Sequence, residues 1–242
     1  MKNSISAIII GLAVIITATI LGNSFKNRYA YQDTINVTGL GSRDFTADLI
    51  VWSGSFQRKA LELKSAYEVL NNDREATKKY LIAKGIQESE MVFSSVSISK
   101  DYESYYDDNG KYHSTFSGYL LSQQITIESK DVSKVENISR EVTELIDEGV
   151  EFYSNSPEYY YSKLEELKIE LISQATQDAR LRAEKIAENS DAKLGDLKSA
   201  SMGVFQITGQ HSSEDYSWGG TFNTSSKEKT ASITAKLEFG IK

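Results

Sequence analysis

Apolar residues recur at two different spacings along the chain, and the changes of spacing separate predicted helices from predicted strands. Between Lys59 and Lys84 they step by three and four, which predicts one amphipathic helix with a polar middle and a stop at Lys84-Gly85. One strand follows near Val92, and a second strand ends near Ile127. Between them, Asn109-Gly110 is the strongest short signal for a β-hairpin turn, because both turn positions need positive φ.

This turn predicts a register for the hairpin. A two-residue turn pairs Asp108 with Lys111, and the pairing continues outward along both strands. The outer part of the hairpin is polar and aromatic and should project as an arm beyond the core. Further in, this register gathers the apolar residues of both strands on one face, whereas a slip by one residue would separate them. The residues on that face are Val96, Ile98, Tyr102, Tyr119, Leu121, Ile125 and Ile127.

Earlier in the chain, residues 34–38 alternate as a short strand and Gly39-Leu40-Gly41-Ser42 interrupts it. Residues 45–56 predict a long strand that is apolar on both faces, which is typical of a central or helix-covered strand. A second helix is predicted over residues 132–147, with Asp131 or Ser133 as its cap.

The last third of the chain repeats the order of helix, turn and hairpin. A long helix is predicted over residues 159–189, and its row of Ala175, Ala179 and Ala183 allows close helix packing. Strands are predicted over residues 197–208 and 230–241, joined by a loop rich in Ser, Gly and aromatic residues.

The predicted order of elements is β-β-α-β-β-α-β-α-β-β. It indicates an α+β fold, with a mainly antiparallel sheet and helices packed on one of its faces. Helix and long hairpin occur in residues 60–128 and again in residues 162–242, so we expect a duplicated helix–hairpin unit.

Residues 5–21, ISAIIIGLAVIITATIL, are almost wholly apolar. At about 17 residues the segment is at the short end for a membrane span and longer than a usual signal-peptide core. We therefore predict an uncleaved signal anchor in residues 1–28 and an extracytoplasmic domain in residues 29–242. The alternative is a signal peptide cleaved near Gly22-Asn23-Ser24 and a secreted protein. The flanking charges do not decide the orientation, but a very short N-terminal tail normally stays in the cytoplasm and the rest is exported.

Composition removes several classes of function. The chain has no cysteine, which excludes disulfides, thiolate zinc sites, cysteine nucleophiles and a lipoprotein anchor. It has two histidines and a net charge of -7 without a basic stripe, so neither a histidine-rich metal centre nor nucleic-acid binding is expected. We identify no catalytic, cofactor-binding or metal-ligating residues and expect a protein that is not an enzyme.

Two clusters of acidic residues are candidates for a calcium site or a catalytic site. Asp107-Asp108-Asn109-Gly110 lacks the alternating ligands of a calcium loop, and a hairpin turn explains it better. The carboxylates on the predicted second helix flank an apolar stripe, which is typical of a solvated helix face rather than of a catalytic pair. These carboxylates are Glu141, Glu144, Asp147 and Glu148.

The order and spacing of three segments resemble a known family. The segments are INVTG at residues 35–39, LNNDREATKKYLIAKGIQESEMVFSSVSISKDYE at residues 70–103, and QDARLRAEKIAENSDAKLGDLKSASMG at residues 177–203. Over residues 33–242 the chain is similar to the SIMPL-domain family of bacterial envelope proteins, which includes the periplasmic immunogenic proteins.

The resemblance implies an exported, non-enzymatic α+β domain that tends to form homo-oligomeric rings, without assigned catalytic residues. Members of the family have been linked to envelope integrity and stress tolerance. The N-terminal anchor and the loop at residues 209–228 depart from the family pattern, and an anchor argues against freely soluble rings.

Aromatic residues in two predicted loops are the sharpest functional candidates. Exposed aromatic side chains on projecting loops often mark interfaces, although they also occur in ordinary strands. We therefore predict an oligomeric, membrane-anchored scaffold of the cell envelope. The alternative is a module that binds an envelope glycan or lipid through the same loops, and a hydrolase is the least favoured of the three. The candidate residues are Tyr102, Tyr105, Tyr106, Tyr112, Tyr216, Trp218 and Phe222.

Overall fold

A computed structural model describes residues 11–22, 24, 33–214 and 217–242 of the chain. Residues 11–22 are helical (α1), whereas residues 5–10 of the predicted anchor lie outside the described residues. In the part of the chain that the structure describes, no helix combines the length and the apolar character needed to cross a membrane.

The strands form two sheets rather than the single sheet that we expected. We call the first the terminal sheet, because it joins the two ends of the domain. Its strand order is β1-β10-β8, with β9 also paired to β10, and helix α4 covers one face. The elements are β1 (Thr34–Thr46), α4 (Leu164–Asn189), β8 (Leu194–Met202), β9 (Gln206–Gly209) and β10 (Glu228–Ile241).

The second, central sheet has the strand order β3-β5-β2-β6, with β4 also paired to β5 and β7 to β2. Helices α2 and α3 cover one face of it. Short 3-10 helices at Glu88–Glu90 and Val142–Ile146 complete this part of the molecule. The elements are β2 (Leu49–Ala60), α2 (Leu63–Ala83), β3 (Met91–Phe93), β4 (Ser97–Tyr106), β5 (Tyr112–Ser129), α3 (Val132–Glu141), β6 (Phe152–Ser154) and β7 (Glu158–Tyr160).

The α+β class with mostly antiparallel sheets is confirmed. In each sheet one long strand, β10 or β5, lies between an early strand and a pair of further strands, which are β8 and β9 in the terminal sheet and β3 and β4 in the central one. The chain passes from the terminal to the central sheet at Ala47-Asp48, so the consecutive strands β1 and β2 belong to different sheets.

Helix α4 lies unusually close to β1. A Cβ atom on Gly39 would lie 2.1 Å from the carbonyl oxygen of Ala175, and one on Gly41 would lie 2.2 Å from that of Leu171. The prediction that Gly39-Leu40-Gly41-Ser42 breaks the strand is therefore wrong. The glycines continue β1 and make room for the helix backbone, opposite the row of small residues on α4 that includes Ala179.

Helix α2 is seated on larger side chains. Trp52 and Phe56 of β2 are fully buried on the face that the helices cover, in one core cluster with Leu70 and Leu81 of α2. The polar middle of α2 does not interrupt the helix, because Asp73 is buried against Arg58 of β2 and accepts hydrogen bonds of 2.5 and 2.9 Å from its guanidinium. The prediction of one continuous helix is confirmed, and Gly85 ends it with a φ of +90°.

Two helices begin later than predicted, because the residues before them pair in strands. Arg58 and Lys59 pair with β5, so α2 begins at Leu63 instead of residue 59. Tyr159 and Tyr160 pair with β2, so the long helix begins at Leu164 instead of residue 159.

Other predicted elements are interrupted. The first strand of the predicted hairpin, which follows near Val92, and the strand predicted over residues 197–208 are each broken, at residues 94–96 and 203–205. The helix predicted over residues 132–147 is α-helical only to Glu141 and then tightens into a 3-10 helix.

The two sheets are joined by hydrogen bonds from the loop before β10. The backbone N–H of Ala47 donates to the Lys227 carbonyl oxygen at 2.9 Å, and that of Tyr159 donates to the Thr224 carbonyl oxygen at 2.7 Å. The Lys227 ammonium lies 3.3 Å from the Glu136 carboxylate of α3. This loop therefore connects the terminal sheet to the central one.

Candidate functional site

The hairpin formed by β4 and β5 extends past the end of β2. Strand β2 ends at Ala60, which pairs with Tyr119 of β5. Beyond that pair, no other described strand joins residues 101–118, which form a two-stranded ribbon. We call residues 101–118 the arm. This is the projection that the sequence predicted.

The predicted register holds at the base of the arm and shifts at its tip. Ile98 lies opposite Leu121, as the apolar pattern requires. A bulge between Asp101 and Tyr102 then shifts the pairing by one residue, and Gly118 adopts a φ of +141° there. The prediction that Asp108 pairs with Lys111 is therefore wrong.

A three-residue turn at the tip fits the shifted register. The N–H of Asp107 donates to the Lys111 carbonyl oxygen at 3.0 Å, and Gly110 takes a φ of +75°. Asp107 Oδ1 accepts the backbone N–H groups of Asn109 and Lys111, each at 3.0 Å. Its other oxygen lies 2.9 Å from His113 Nε2, and this hydrogen bond lowers the pKa of the Asp107 carboxyl. The turn thus uses the Asp107 side chain internally.

Aromatic pairs line both faces of the arm. Tyr102 and Phe116 meet edge to face with ring centroids 5.8 Å apart, and Tyr106 and Tyr112 do so at 5.4 Å. On the other face Tyr105 stacks on the His113 ring at 5.2 Å. These cross-strand pairs stabilise the ribbon, yet the rings stay largely in solvent, and Tyr106 is 71% exposed.

The four arm tyrosines of the sequence prediction, Tyr102, Tyr105, Tyr106 and Tyr112, therefore lie together on one projection. Phe116 belongs to the same set and was missed. The shifted register brings it to the face of Tyr102, and the sequence pattern does not reveal that bulge.

A concave apolar surface lies on the face of the terminal sheet opposite α4. It is a cavity of about 740 Å³, open to solvent, between β1, β10, the break from β8 to β9, and the loop after β9. We call it the cup. Its lining residues are Leu40, Met202, Gly203, Val204, Gln206, Ser217, Trp218, Ser232, Ile233 and Thr234.

The loop that forms one wall of the cup is fastened to β9. Gln206 Oε1 accepts the N–H of Thr221 at 2.7 Å, and its amide nitrogen donates to the Ser217 carbonyl oxygen at 2.8 Å. Trp218 is carried at the tip of this loop and is fully exposed, at 100%.

The predicted loop residues are only partly brought together. Phe222 lies farther along the loop, opposite Ile207 of β9 and 6.5 Å from the Tyr160 ring. Tyr216 lies outside the described residues. The sequence treated the two aromatic groups as similar, whereas the structure places one on the central sheet and the other on the terminal sheet.

Lys229 at the start of β10 anchors the far end of this loop. Its side chain is 2% exposed and donates to the carbonyl and side-chain oxygens of Asn223. Burial lowers the pKa of the Lys229 ammonium to about 8. Asn223 also donates to the Glu214 carboxylate, so one buried network fixes both parts of the loop.

Two of the four carboxylates named for the predicted second helix, Glu141 and Glu144, form ion pairs. The Lys84 ammonium lies 2.9 Å from the Glu141 carboxylate and 2.8 Å from that of Glu144. The hydrogen bond from Lys84 lowers the pKa of the Glu144 carboxyl, and burial raises the pKa of the neighbouring Tyr80 hydroxyl. Among the described residues, no group of His, Asp or Glu side chains could hold a metal ion.

The sequence was compared with models of known protein families, and the match covers the α+β architecture described above. The model of the SIMPL family, described as a protein of unknown function (DUF541), matches residues 35–238, which include every strand except the ends of β1 and β10. No curated protein sequence matches the chain. Since the match covers most of the 242 residues, the chain belongs to the SIMPL family.

Proposed function

We propose that the protein is a non-enzymatic scaffold of the bacterial cell envelope that is anchored in a membrane and assembles with copies of itself. The observation that carries this proposal is the arm, a two-stranded ribbon with exposed aromatic residues at its tip. In bacterial cells such a scaffold would contribute to envelope integrity or stress tolerance, the roles linked to the SIMPL family.

The physical argument concerns the surroundings of the arm. A two-stranded ribbon is marginally stable in water unless something else packs against it. Tyr105, Tyr106 and Tyr112 each expose more than half of their surface at the tip. Tyrosine is enriched at protein interfaces because its ring buries apolar area while its hydroxyl keeps a polar partner. A partner that covers the tip would remove this exposed area from water.

The anchor is supported by the sequence. Residues 5–21 are apolar, and residues 11–22 of this region are helical. We propose that the segment holds the protein in the cytoplasmic membrane with residues 29–242 exported, and secretion after signal cleavage is the alternative. Cell fractionation tests this. Full-length protein should be found in the membrane fraction, whereas a variant lacking residues 5–21 should not.

The test of assembly is the mass of the purified full-length protein in mild detergent, measured by size-exclusion chromatography with light scattering. We expect a multiple of the 27.0 kDa protomer mass that falls on dilution. A single protomer mass at the highest attainable concentration would contradict the proposal. Replacing the exposed Tyr67 of α2 by Ser is a matched control, since it removes a half-exposed tyrosine that is not part of the arm and should leave the mass unchanged.

A second candidate function rests on Trp218. A fully exposed indole beside an apolar cavity suits stacking on a sugar ring, which would make the protein a binding module for an envelope glycan. Retention on purified cell wall tests it with Tyr105, Tyr106 and Trp218 replaced by Ala. Retention equal to that of the wild type would exclude these residues as the binding site.

A further inference from the structure

The cup is an apolar surface that faces solvent, on a domain that we propose to be tethered to a membrane. We infer that the cup rests against the surface of that membrane and takes up lipid acyl chains. The domain would then contact the bilayer at a second point besides the anchor. This inference rests on the proposed anchor and specifies which face of the domain meets the lipid.

The terminal sheet directs apolar side chains away from its helix and towards solvent. Side chains alternate along a strand, and Gly39 and Gly41 face α4, so Leu40 between them lies on the opposite face. At the break after β8, Met202 and Val204 border the same cavity. Leu40, Met202 and Val204 each expose about half of their surface. Contiguous exposed apolar surface of this kind marks a contact with a partner protein or with a membrane.

The lining of the cup favours an acyl chain over a charged or strongly polar ligand. None of the described lining residues carries a charge. The one amide among them, that of Gln206, is already used inside the protein, where it binds the Thr221 N–H and the Ser217 carbonyl oxygen. A sugar that entered the cup would bury hydroxyl groups with few partners, which costs free energy, whereas methylene groups need no partner.

Trp218 at the rim of the cup has the properties of a residue at a membrane surface. Its side chain is fully exposed, and the loop that carries it is fastened to β9 through Gln206. An indole combines a large apolar ring with one N–H donor, and tryptophan is enriched where lipid hydrocarbon meets the headgroups. The Trp218 ring can therefore enter the apolar layer while its N–H stays among the headgroups.

The length of chain between the apolar segment and β1 keeps the cup near the lipid. The apolar segment ends at Leu21, β1 begins at Thr34, and the residues between them can span at most about 40 Å. Leu40 lies further along β1, about 20 Å from its start. The lipid surface is therefore within reach of the cup, and the tether raises its effective concentration, so a weak contact suffices.

The opposite side of the terminal sheet suits water. Helix α4 covers the other face of the sheet, so it would point away from the membrane when the cup rests on it. Its outer surface carries ion pairs, with Arg180 2.9 Å from Glu184 and Arg182 3.0 Å from Asp178. The charged and the apolar surfaces of the terminal sheet thus lie on opposite sides, as a contact with lipid requires.

The two tryptophans of the chain provide the measurement. Trp218 is fully exposed, Trp52 is fully buried, and residues 5–21 contain no tryptophan. The full-length protein is reconstituted into phosphatidylcholine vesicles, with or without bromine atoms on the acyl chains. Bromine quenches the emission of tryptophan on contact. The emission of Trp218 is obtained as the difference between the wild type and Trp218→Phe.

We expect brominated lipid to remove most of the emission of Trp218 and to leave that of Trp52 unchanged. Leu40→Glu places a carboxylate in the cup wall, and because a charge is costly to insert into lipid, most of the Trp218 emission should return. Leu63→Glu is the matched control, since Leu63 is a similarly exposed leucine on α2 and not part of the cup. It should be quenched as the wild type is, and so should Leu40→Met, which keeps the wall apolar. Circular dichroism establishes that the variants are folded.

Failure of the anchor and failure of the cup contact give different results. Protein that does not float with the vesicles in a density gradient would overturn the anchor and this inference together. Floating protein whose Trp218 emission is equal in both kinds of vesicle would overturn the cup contact alone. A Leu40→Glu variant that is quenched as fully as the wild type would do the same.

Two further results would assign the cup to a different occupant and overturn the contact with lipid. Quenching that is relieved by soluble cell-wall glycan fragments would indicate a sugar in the cup. Quenching that is lost when the ratio of protein to lipid is raised would indicate a second copy of the chain.

Discussion

The helices pack against the two sheets in opposite ways. On the terminal sheet, α4 lies against Gly39 and Gly41, and the backbones of helix and strand nearly touch. On the central sheet, α2 and α3 cover a core that contains the large side chains of Trp52 and Phe56. The space between a helix and a sheet can therefore be filled in two ways: by removing side chains and moving the helix inward, or by keeping the helix outside a layer of large aromatic side chains.

The two sheets also differ in how they hold a buried charge. In the central sheet Asp73 is paired with the guanidinium of Arg58. In the terminal sheet Lys229 is held by the neutral oxygens of Asn223. A charge held by neutral groups recovers less of its lost hydration than one beside an opposite charge, which explains why burial lowers the pKa of Lys229.

The largest expected effect comes from removing a large side chain from the core of the central sheet. Replacing Phe56 by Ala removes a fully buried ring and should lower the free energy of unfolding by about 3–5 kcal/mol. Urea denaturation measures the loss, and Gln57→Ala, which alters a less buried neighbour, is the control. A loss below about 1 kcal/mol would mean that the helix moves inward to fill the space left by the ring. The central sheet would then tolerate the same close helix packing as the terminal sheet.

Adding a side-chain atom where α4 lies close to β1 should have the next largest effect. Gly39→Ala places a Cβ atom 2.1 Å from the Ala175 carbonyl oxygen, and relief requires a shift of the helix. We expect a loss of about 1–3 kcal/mol in urea denaturation, against almost none for Thr38→Ala on the exposed face. Adding Ala179→Gly should not restore stability, because the severe clash is with backbone. Full recovery in that double variant would show that side chains alone set the spacing.

Removing the charge of Asp73 tests the paired arrangement. Asp73→Asn leaves the Arg58 guanidinium without its anionic partner, and Arg58 reaches solvent with about a quarter of its side chain. The loss should be about 1–2 kcal/mol, below the value for a fully buried pair. The exposed pair of Arg180 and Glu184 on α4 is the matched comparison, where Glu184→Gln should change stability by less than about 0.5 kcal/mol. Equal losses at the two sites would contradict a special role for burial.

The charge of Lys229 tests the unpaired arrangement through pH. Its pKa is about 8 when folded and 10.5 in the unfolded chain, so the unfolded chain binds more protons between these values. This group therefore makes stability rise between pH 8 and 10.5, by at most about 1.4 kcal/mol for each pH unit, and the gain is lost as pH falls towards 8.

The Lys229 prediction is tested by comparing the pH dependence of stability of the wild type with that of a variant without this lysine. Tyr80 and Tyr159 titrate at high pH with pKa values raised by burial, and their ionisation opposes the lysine effect. Urea denaturation across pH 7–10 should therefore show a steeper rise for the wild type than for Lys229→Met. Parallel pH profiles would show that the lysine keeps its ordinary pKa.

Sequence patterns predicted the parts of the fold that depend on local rules. The continuous α2, its end at Gly85 and the inner register of the hairpin each follow from spacing or from one turn. The register failed at the tip, because a bulge near Gly118 shifts the strands and its only local sign is a glycine. The local pattern at Gly39 and Gly41 predicts a break in the strand and is wrong there, because the role of these glycines depends on a helix more than 120 residues later in the chain.

The candidate surfaces were predictable to different degrees. The arm is made of one continuous segment, so its tyrosines could be grouped from sequence alone. The cup gathers residues from both ends of the domain, for example Leu40 and Thr234, and no local pattern links them. Of the residues that line the cup, the sequence pattern indicates only Trp218, as an exposed aromatic residue, and it does not predict the cavity beside it.

The pairing of β1 with β10 also determines when the protein can finish folding. Thr34 lies opposite Gly240, so this ladder closes a loop of almost the whole domain, whereas the strands of the central sheet all come from residues 49–160. Pairings between distant residues form slowly, because the entropy of loop closure must be overcome first. During synthesis the central sheet can fold early, while β1 waits for the C-terminal strand. A chain shortened by its last strand would keep its middle ordered and leave its first strand without a partner.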